Sequence, residues 1–302
     1  MIRLHRLDHV ALRVADVDEA SERWALQFGL TERTRDDERA TLSCDDEPLA
    51  LELLLGAEPG FDHVAWELAP DCSTDDALAH LSEHGVNAQP VDDHVELCDP
   101  EDQALHLLPY REPRSRFVAH VRPATGMRPG RPRKLGHVNF LTGELEEQVR
   151  FYRDVLGMRV TDWLAEDGCW LHIGPEHHAI ALVNKGYAHL HHFAFDVVDI
   201  GQMRDALDHL ARHGRWLGWG PTRHGIGGNV ASYVRIPEED CFAELYCDME
   251  ILQPDHQPRH YEDDRFSSNT WGPLPPRSYF RFDDAAIASE RDSLETLGVP
   301  LE

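Results

Sequence analysis

Three residues, each within an apolar run, have the chemistry of a metal-binding set: His137, His192 and Glu244. Their runs, LGHVNFLT, LHHFAFDV and CFAELYC, alternate in the manner of β-strands. Two neutral imidazoles and one carboxylate suit a non-haem Fe(II) that keeps open coordination positions. An acid within an apolar strand such as that of Glu244 is costly unless it is paired or bound to a cation. These residues together lead to the hypothesis of a metal centre.

An internal repeat explains how ligands so far apart in the sequence could meet. Four segments begin with an apolar strand that contains a histidine, and each is followed by a helical pattern that ends near a glycine. The histidine-to-glycine spacing is twenty residues in the first and third segments and twenty-two in the second and fourth. Matching histidines are 128 and 129 residues apart, so a two-module unit occurs twice in tandem. The histidines are His9, His63, His137 and His192, and the glycines are Gly29, Gly85, Gly157 and Gly214.

Short alternating runs follow each glycine, so every module is predicted to be a strand, a helix and about three further strands. The predicted fold class is α+β, with four βαβββ modules in two tandem domains, each a pair of curved mixed half-barrels. The Pro-, Gly- and Arg-rich stretch between the halves is predicted to be a linker. The predicted divisions are a non-catalytic domain at 1–110, a linker at 111–134, a catalytic domain at 135–250 and a tail at 251–302 that covers the active site.

Composition limits the classes of partner. The 302 residues have a formal charge of −26, which disfavours general binding to nucleic acid or to an anionic membrane. No apolar run approaches the roughly 20 residues that span a bilayer, and the N-terminal segment lacks the pattern of a signal peptide. We therefore expect a cytoplasmic protein, in which the six scattered cysteines are reduced.

At these residues the chain resembles the type I extradiol ring-cleaving dioxygenases, the catechol 2,3-dioxygenase group of the vicinal oxygen chelate superfamily. The similarity extends over nearly the full length, as two modules in each half, with the metal in the C-terminal half only. The resemblance implies that His137, His192 and Glu244 are the metal ligands. It also implies Fe(II) as the cofactor, with Mn(II) as the alternative.

Three further positions match this family. His178 lies in the stretch HHAIALVNKGYAHLHHF, fourteen residues before the second ligand, where the family has a non-ligand active-site histidine. His224 lies in GPTRHGIGGN, which resembles the most specific family motif, and Tyr233 follows nine residues later. The resemblance implies that His178 is an acid/base and that His224 and Tyr233 hydrogen-bond the substrate oxygens.

Two neighbouring histidines are alternatives to the residues chosen. His191 competes with His192 as the second ligand, and we favour His192 because adjacent strand residues point to opposite faces. His177 competes with His178, which the family spacing favours.

The resemblance implies an enzyme that opens a catechol-type ring with O2 next to its two hydroxyls and yields a 2-hydroxymuconic semialdehyde-type product. Relatives that cleave carboxylate-bearing catechols have arginines at two places where this chain has Trp219 and the segment 267–271. We therefore predict substrate contacts from Trp219, Asn269 and Trp271 and a substrate with an apolar or neutral substituent. The expected partners are this small molecule, O2 and further copies of the chain in a homo-oligomer.

Two other functions suit the same fold. One is a glyoxalase-like metal-dependent isomerase or transferase, which typically adds a fourth protein ligand. The other is a protein that sequesters a small aromatic compound. In the N-terminal half, His9, His63 and His106 occupy analogous places, but we expect no metal there because an all-histidine set lacks a charge-balancing carboxylate.

Overall fold

The computed structural model describes residues 2–44, 48–112 and 132–280. The chain forms one eight-stranded and one nine-stranded mixed sheet, and helices flank both. Each half contributes one sheet, and each half follows the order strand, helix and three strands twice. The predicted α+β class with four βαβββ modules is confirmed.

The first half forms its sheet around two central antiparallel strands, one from each module. Its elements are β1 (Leu4–Val14), α1 (Val17–Phe28), β2 (Thr31–Arg35), β3 (Arg39–Ser43), β4 (Leu51–Leu55), β5 (Gly60–Leu68), α2 (Thr74–Glu83), β6 (Ala88–Val91), β7 (His94–Cys98) and β8 (Ala104–Leu108). The strand order is β2-β3-β4-β1-β5-β8-β7-β6.

The second half repeats this arrangement. Its elements are β9 (Lys134–Thr142), α3 (Leu145–Arg150) with a π-helical turn at Phe151–Val155, β10 (Arg159–Leu164), β11 (Gly168–His172), β12 (Ile180–Asn184), β13 (His189–Asp196), α4 (Ile200–Arg212), β14 (Leu217–Arg223), β15 (Val230–Ile236) and β16 (Cys241–Cys247). The central strands are β16, β13, β9 and β12, in that order across the sheet. No helix within the described ranges is long and apolar enough to cross a bilayer.

The four repeat glycines each end the helical segment of a module. Their φ angles are 72°, 71°, 74° and 75°, a left-handed conformation that glycine adopts without steric cost. The backbone reversal after each helix therefore explains why glycine recurs at a fixed distance from the opening histidine.

The start of the predicted tail belongs to the second sheet. Strand β17 (Arg259–Tyr261) pairs in parallel with β10, and the chain continues through α5 (Arg265–Ser268) to a 3-10 turn at Arg277–Phe280. The tail is therefore anchored before it reaches the cavity of this half. Residues 113–131 of the predicted linker and 281–302 of the predicted tail lie outside the described residues.

The two halves share one hydrophobic core. Trp24 and Phe28 of α1 pack against Phe193 and Phe195 of β13, with ring centroids 5.6 and 6.4 Å apart. The helix of the first module thus supports the strand of the fourth module that contains His192.

A buried ion pair also joins the halves. Arg23 of α1 donates to both carboxylate oxygens of Glu239, which lies in the turn between β15 and β16, at 3.1 and 2.5 Å. Both residues are buried, so each charge depends on the other for its stability.

Replacing Arg23 with methionine is expected to lower the free energy of unfolding by about 3–5 kcal/mol, because Glu239 would keep its buried charge without this partner. Urea unfolding followed by circular dichroism measures the change. Arg35→Met is the control, since Arg35 pairs only with more exposed acids and its loss is expected to cost about 1 kcal/mol or less. Equal losses in the two variants would show that the buried pair contributes nothing special.

Candidate metal centre and active-site cavity

The three predicted ligands lie on three adjacent strands of the second sheet. His137 is on β9, His192 on β13 and Glu244 on β16. Ala194 of β13 is the register partner of both His137 and Glu244, and His192 lies two residues before it. Side chains two residues apart on a strand share a face, so the register brings all three ligands together.

The ligand atoms converge on one carboxylate oxygen. The Nε2 atoms of His137 and His192 each lie 3.0 Å from Oε2 of Glu244. Asn229 donates from Nδ2 to the other oxygen, Oε1, at 3.2 Å, which keeps Oε2 turned toward the histidines. Burial opposes ionisation of Glu244, but the two imidazoles outweigh burial and hold its pKa below the usual range. The side chain is therefore a buried carboxylate.

His191 determines which nitrogen of His192 carries the proton. His191 donates from Nε2 to the carbonyl of Tyr279 at 2.6 Å, so in a neutral ring its Nδ1 is the acceptor. The Nδ1 of His192 lies 2.7 Å away and must donate, which leaves a lone pair on the Nε2 that faces Glu244. A lone pair and a carboxylate oxygen repel each other unless a cation lies between them. The donor set therefore fits a divalent cation, with His192 and not His191 beside the carboxylate.

The same arrangement of paired histidines occurs at His178. The carboxylate of Asp162 can only accept, so His177 donates to it from Nε2 at 2.8 Å. The Nδ1 of His177 then accepts from Nδ1 of His178 at 3.0 Å, and the Nε2 of His178 is the basic nitrogen. Arg259 of β17 fixes Asp162 through a contact of 2.8 Å.

Two observations support a proton-accepting His178. Burial, followed by the neighbouring histidines, lowers its pKa well below the ordinary value, so the ring is neutral near pH 7. Its ring centroid lies 4.3 Å from that of His137. A neutral imidazole therefore lies beside the predicted metal ligands.

His224 and Tyr233 form a hydrogen-bonded pair at the same site, with 2.7 Å between Nε2 and the phenolic oxygen. Tyr233 is the register partner of Glu244 on the next strand, and its ring lies 5.2 Å from that of His192. Burial raises the pKa of Tyr233 well above its usual value, so its hydroxyl keeps its proton and can donate it in a hydrogen bond.

A cavity of about 210 Å³ joins these groups. Its lining includes both histidine ligands and all three of His178, His224 and Tyr233. Aromatic residues form much of the remaining wall, and Glu244 is fully buried behind the histidines. These wall residues are Trp170, Trp219, Tyr279 and Phe280.

The three predicted substrate contacts differ in their position relative to the cavity. Trp219 lines the cavity, but Asn269 and Trp271 do not. The side chain of Asn269 donates to the carbonyls of Gly272 and Pro273 at 3.0 and 2.9 Å, so it shapes the tail itself. Trp271 is 46% exposed.

Several supporting residues had no role in the sequence prediction. Asp162 and Tyr279 bond to the paired histidines, and Asn229 bonds to Glu244. The adjacent histidines and the position of Asn229 in GPTRHGIGGN were available in the sequence. Asp162 and Tyr279 lie in segments without a recognisable pattern, and only the fold brings them here.

Residues 134–240 match the family model described as the Glyoxalase/Bleomycin resistance protein/Dioxygenase superfamily. Metapyrocatechase 2 of Cupriavidus necator is 27% identical and aligns over 93% of both chains. The manganese-dependent 2,3-dihydroxybiphenyl 1,2-dioxygenase of Geobacillus genomosp. 3 is 25% identical over 85% of this chain and 90% of its own. These matches confirm the resemblance to extradiol dioxygenases.

Solved structures with the same fold include extradiol dioxygenases. A variant of homoprotocatechuate 2,3-dioxygenase from B. fuscum superimposes with a TM-score of 0.81 at 21% identity, over 92% of this chain and 82% of that one. This likeness shows that the two proteins share the arrangement of modules.

Replacing Glu244 with glutamine is expected to remove one bound ion per chain, because the amide has the same shape without the charge that attracts a cation. The Asn229→Ala variant is expected to bind that ion about 10–100-fold more weakly, the usual effect of losing a partner of a ligand. Metal content after loading with Fe(II) or Mn(II) under argon measures both. Glu176→Gln is the control, since this partly exposed acid pairs with Lys134 away from the candidate metal centre. Unchanged metal content in Glu244→Gln would remove Glu244 from the ligand set.

Proposed function

We propose that this protein is an extradiol dioxygenase that cleaves a catechol-type ring next to its two hydroxyls, inserts both atoms of O2 and yields a 2-hydroxymuconic semialdehyde-type product. The observation that supports this proposal best is that His137, His192, His178, His224 and Tyr233 line one cavity. A metal site alone would suit many reactions. A metal site beside a neutral base and a hydrogen-bonded His–Tyr pair suits binding and deprotonation of a diol.

Fe(II) is the proposed cofactor, because two histidines and one carboxylate with open positions are the usual set for non-haem Fe(II) oxygenases. Mn(II) is the second candidate, since one relative is named for manganese dependence. When bound, such an ion supplies Lewis-acid binding of the two catechol oxygens and a redox connection between the ring and O2.

Side chains of the protein accept, stabilise and return the protons of the catechol hydroxyls. The Nε2 of His178 accepts a proton from a catechol hydroxyl, and the resulting imidazolium can return it as the ring opens. His177 and Asp162 stabilise that imidazolium, because Asp162 is a carboxylate 2.8 Å from His177. Tyr233, fixed by His224, donates a hydrogen bond to substrate oxygen on the other side of the cavity.

The cavity wall supports a substrate with a neutral substituent. Trp219 stacks on Tyr233 at 5.2 Å, and Tyr279 packs against both. The one lysine in the lining, Lys185, lies 4.6 Å from the ring of Phe280. Asp167 and Asp263 also line the cavity, so the lining as a whole does not attract a carboxylate.

The glyoxalase-like alternative has less support. Among the described residues, the cluster that contains His137 has three ligating side chains and lacks the fourth that such an isomerase typically uses. Simple sequestration of an aromatic compound would not need His178, His224 and Tyr233 beside a metal site.

A panel of catechols tests the proposed reaction. Fe(II)-loaded protein in air is expected to produce a yellow ring-fission product and to consume one O2 per ring, with higher kcat/KM for alkyl- or aryl-substituted catechols than for carboxylated ones. An oxygen electrode and absorbance spectra measure both quantities. The Glu244→Gln protein serves as the negative control. If metal-loaded protein gave neither colour nor oxygen uptake with any catechol of the panel, ring cleavage would be contradicted. A higher kcat/KM for carboxylated catechols would contradict the proposal that the substrate has a neutral substituent.

Replacing His178 with phenylalanine is expected to lower kcat by about 10²–10⁴-fold, the usual contribution of a positioned base. Metal content and the anaerobic binding of catechol should remain, since His178 is not a ligand. Steady-state kinetics and an anaerobic titration separate these quantities. His189→Phe is the control, because His189 begins β13 and bonds to the carbonyl of Asp240 outside the cavity. Turnover equal to that of the unmodified protein would exclude His178 as the base.

A further inference from the structure

The first half contains a second buried group of two histidines and one carboxylate. His9 lies on β1, Glu52 on β4 and His63 on β5, and these three strands are neighbours in the centre of the first sheet. The three residues are 5%, 5% and 4% exposed. Nothing in the proposed reaction uses them, and a buried set of this kind requires a physical explanation.

Carboxylates determine the proton positions on both histidines. The Nδ1 of His9 lies 2.7 Å from Asp8, and the Nδ1 of His63 lies 2.8 Å from Asp62. Each carboxylate can only accept, so each neutral imidazole donates from Nδ1 and keeps a lone pair on Nε2. Such carboxylate–histidine pairs are the usual support of histidine ligands in metal sites.

The three remaining acceptor atoms converge. The Nε2 atoms of His9 and His63 are 3.2 Å apart, and Oε2 of Glu52 lies 3.3 Å from the first and 3.6 Å from the second. A point equidistant from atoms so spaced is about 2 Å from each, which is the bond length of Zn(II) to imidazole nitrogen and carboxylate oxygen. With both imidazoles neutral, three lone-pair atoms would face one another.

The carboxylate comes from a different strand than in the second half. His106 of β8 occupies the register position that corresponds to Glu244, since both are paired with the alanine two residues after the module histidine. The ring of His106 stacks on that of His63 at 3.6 Å, and Glu52 approaches from the opposite side through β4. The expectation of a metal-free half considered only His9, His63 and His106, and it therefore overlooked the carboxylate that balances the charge.

Glu52 is held in place much as Glu244 is. Its Oε1 forms an ion pair with Arg39, so Oε2 is left to face the histidines, just as Asn229 holds Oε1 of Glu244. The carboxylates behind the histidines are also anchored, Asp8 by Arg6 and Asp62 by Arg13. The geometry of the group is therefore fixed by partners outside it.

We propose that His9, Glu52 and His63 bind a second divalent transition-metal ion. Neutral imidazole and carboxylate donors suit Zn(II), Mn(II) and Fe(II). The three side chains are buried, and the ion cross-links three central strands of the first sheet.

The experiment measures the number of bound ions per chain in a variant whose C-terminal metal centre has been disabled by substitution. The Glu244→Gln/His192→Gln protein is loaded with Zn(II) or, separately, Mn(II), freed of excess metal by gel filtration and analysed by mass spectrometry of the metal. Its first half is unaltered, so the result does not depend on how a variant in that half folds. The expected content is one ion per chain, against two in the unmodified protein. A content below 0.2 with both metals would overturn the proposal.

Variants in the first half then identify the ligands. Adding Glu52→Gln or His63→Gln to the double variant is expected to remove the remaining ion, with circular dichroism confirming the fold. His106→Gln is the matched control, because His106 stacks on His63 but lies outside the group. An ion lost in His106→Gln and retained in Glu52→Gln and His63→Gln would overturn the proposed ligand set. No substrate is used, so the outcome is independent of whether the protein cleaves catechols.

Discussion

A buried carboxylate between two imidazoles is the constraint on which the second half depends. Glu244 has no exposed surface, and its Oε2 faces two histidine nitrogens at 3.0 Å. A charge in such a place is stable only when partners surround it on every side. Asn229 satisfies one oxygen, and the other faces the two histidines, where the proposed cation would balance its charge. Because the strand is central in the sheet, Glu244 cannot turn outward to water, and the surrounding residues must accommodate its charge.

The duplicated module is what brings these groups together. Each pair of modules places its opening strands side by side and antiparallel, so two histidines that begin consecutive modules come to lie on one face. The first half has the same geometry, with His9 and His63 in corresponding places. The halves differ in the strand that supplies the carboxylate: β16 for Glu244 and β4 for Glu52. The same architecture can thus bring two histidines and a carboxylate together even when the carboxylate comes from a different strand.

The sequence predicted those parts of the site that local pattern and family spacing determine. The repeat spacing predicted the four modules. Each helix must be followed by a residue in the left-handed conformation, and glycine meets this local requirement in every module. Family motifs led to His178, His224 and Tyr233, all of which line the cavity. Asp162 and Tyr279 were out of reach, because their contacts arise only when distant strands and the tail meet. Asn269 and Trp271 are not among the lining residues, and an irregular loop has no period by which its inward-facing residues can be recognised.

The tail reaches both pairs of adjacent histidines, one of them directly and the other through Asp162, so the end of the chain influences the proton positions. The carbonyl of Tyr279 accepts from His191, and Arg259 of β17 holds the carboxylate that accepts from His177. In each pair the tautomer of the inner histidine follows from the partner of the outer one. That partner is the carbonyl of Tyr279 for His191 and the carboxylate of Asp162, held by Arg259, for His177. The tautomer of His192, a residue on a central strand of the sheet, is thus determined by the backbone of a turn near the end of the described chain.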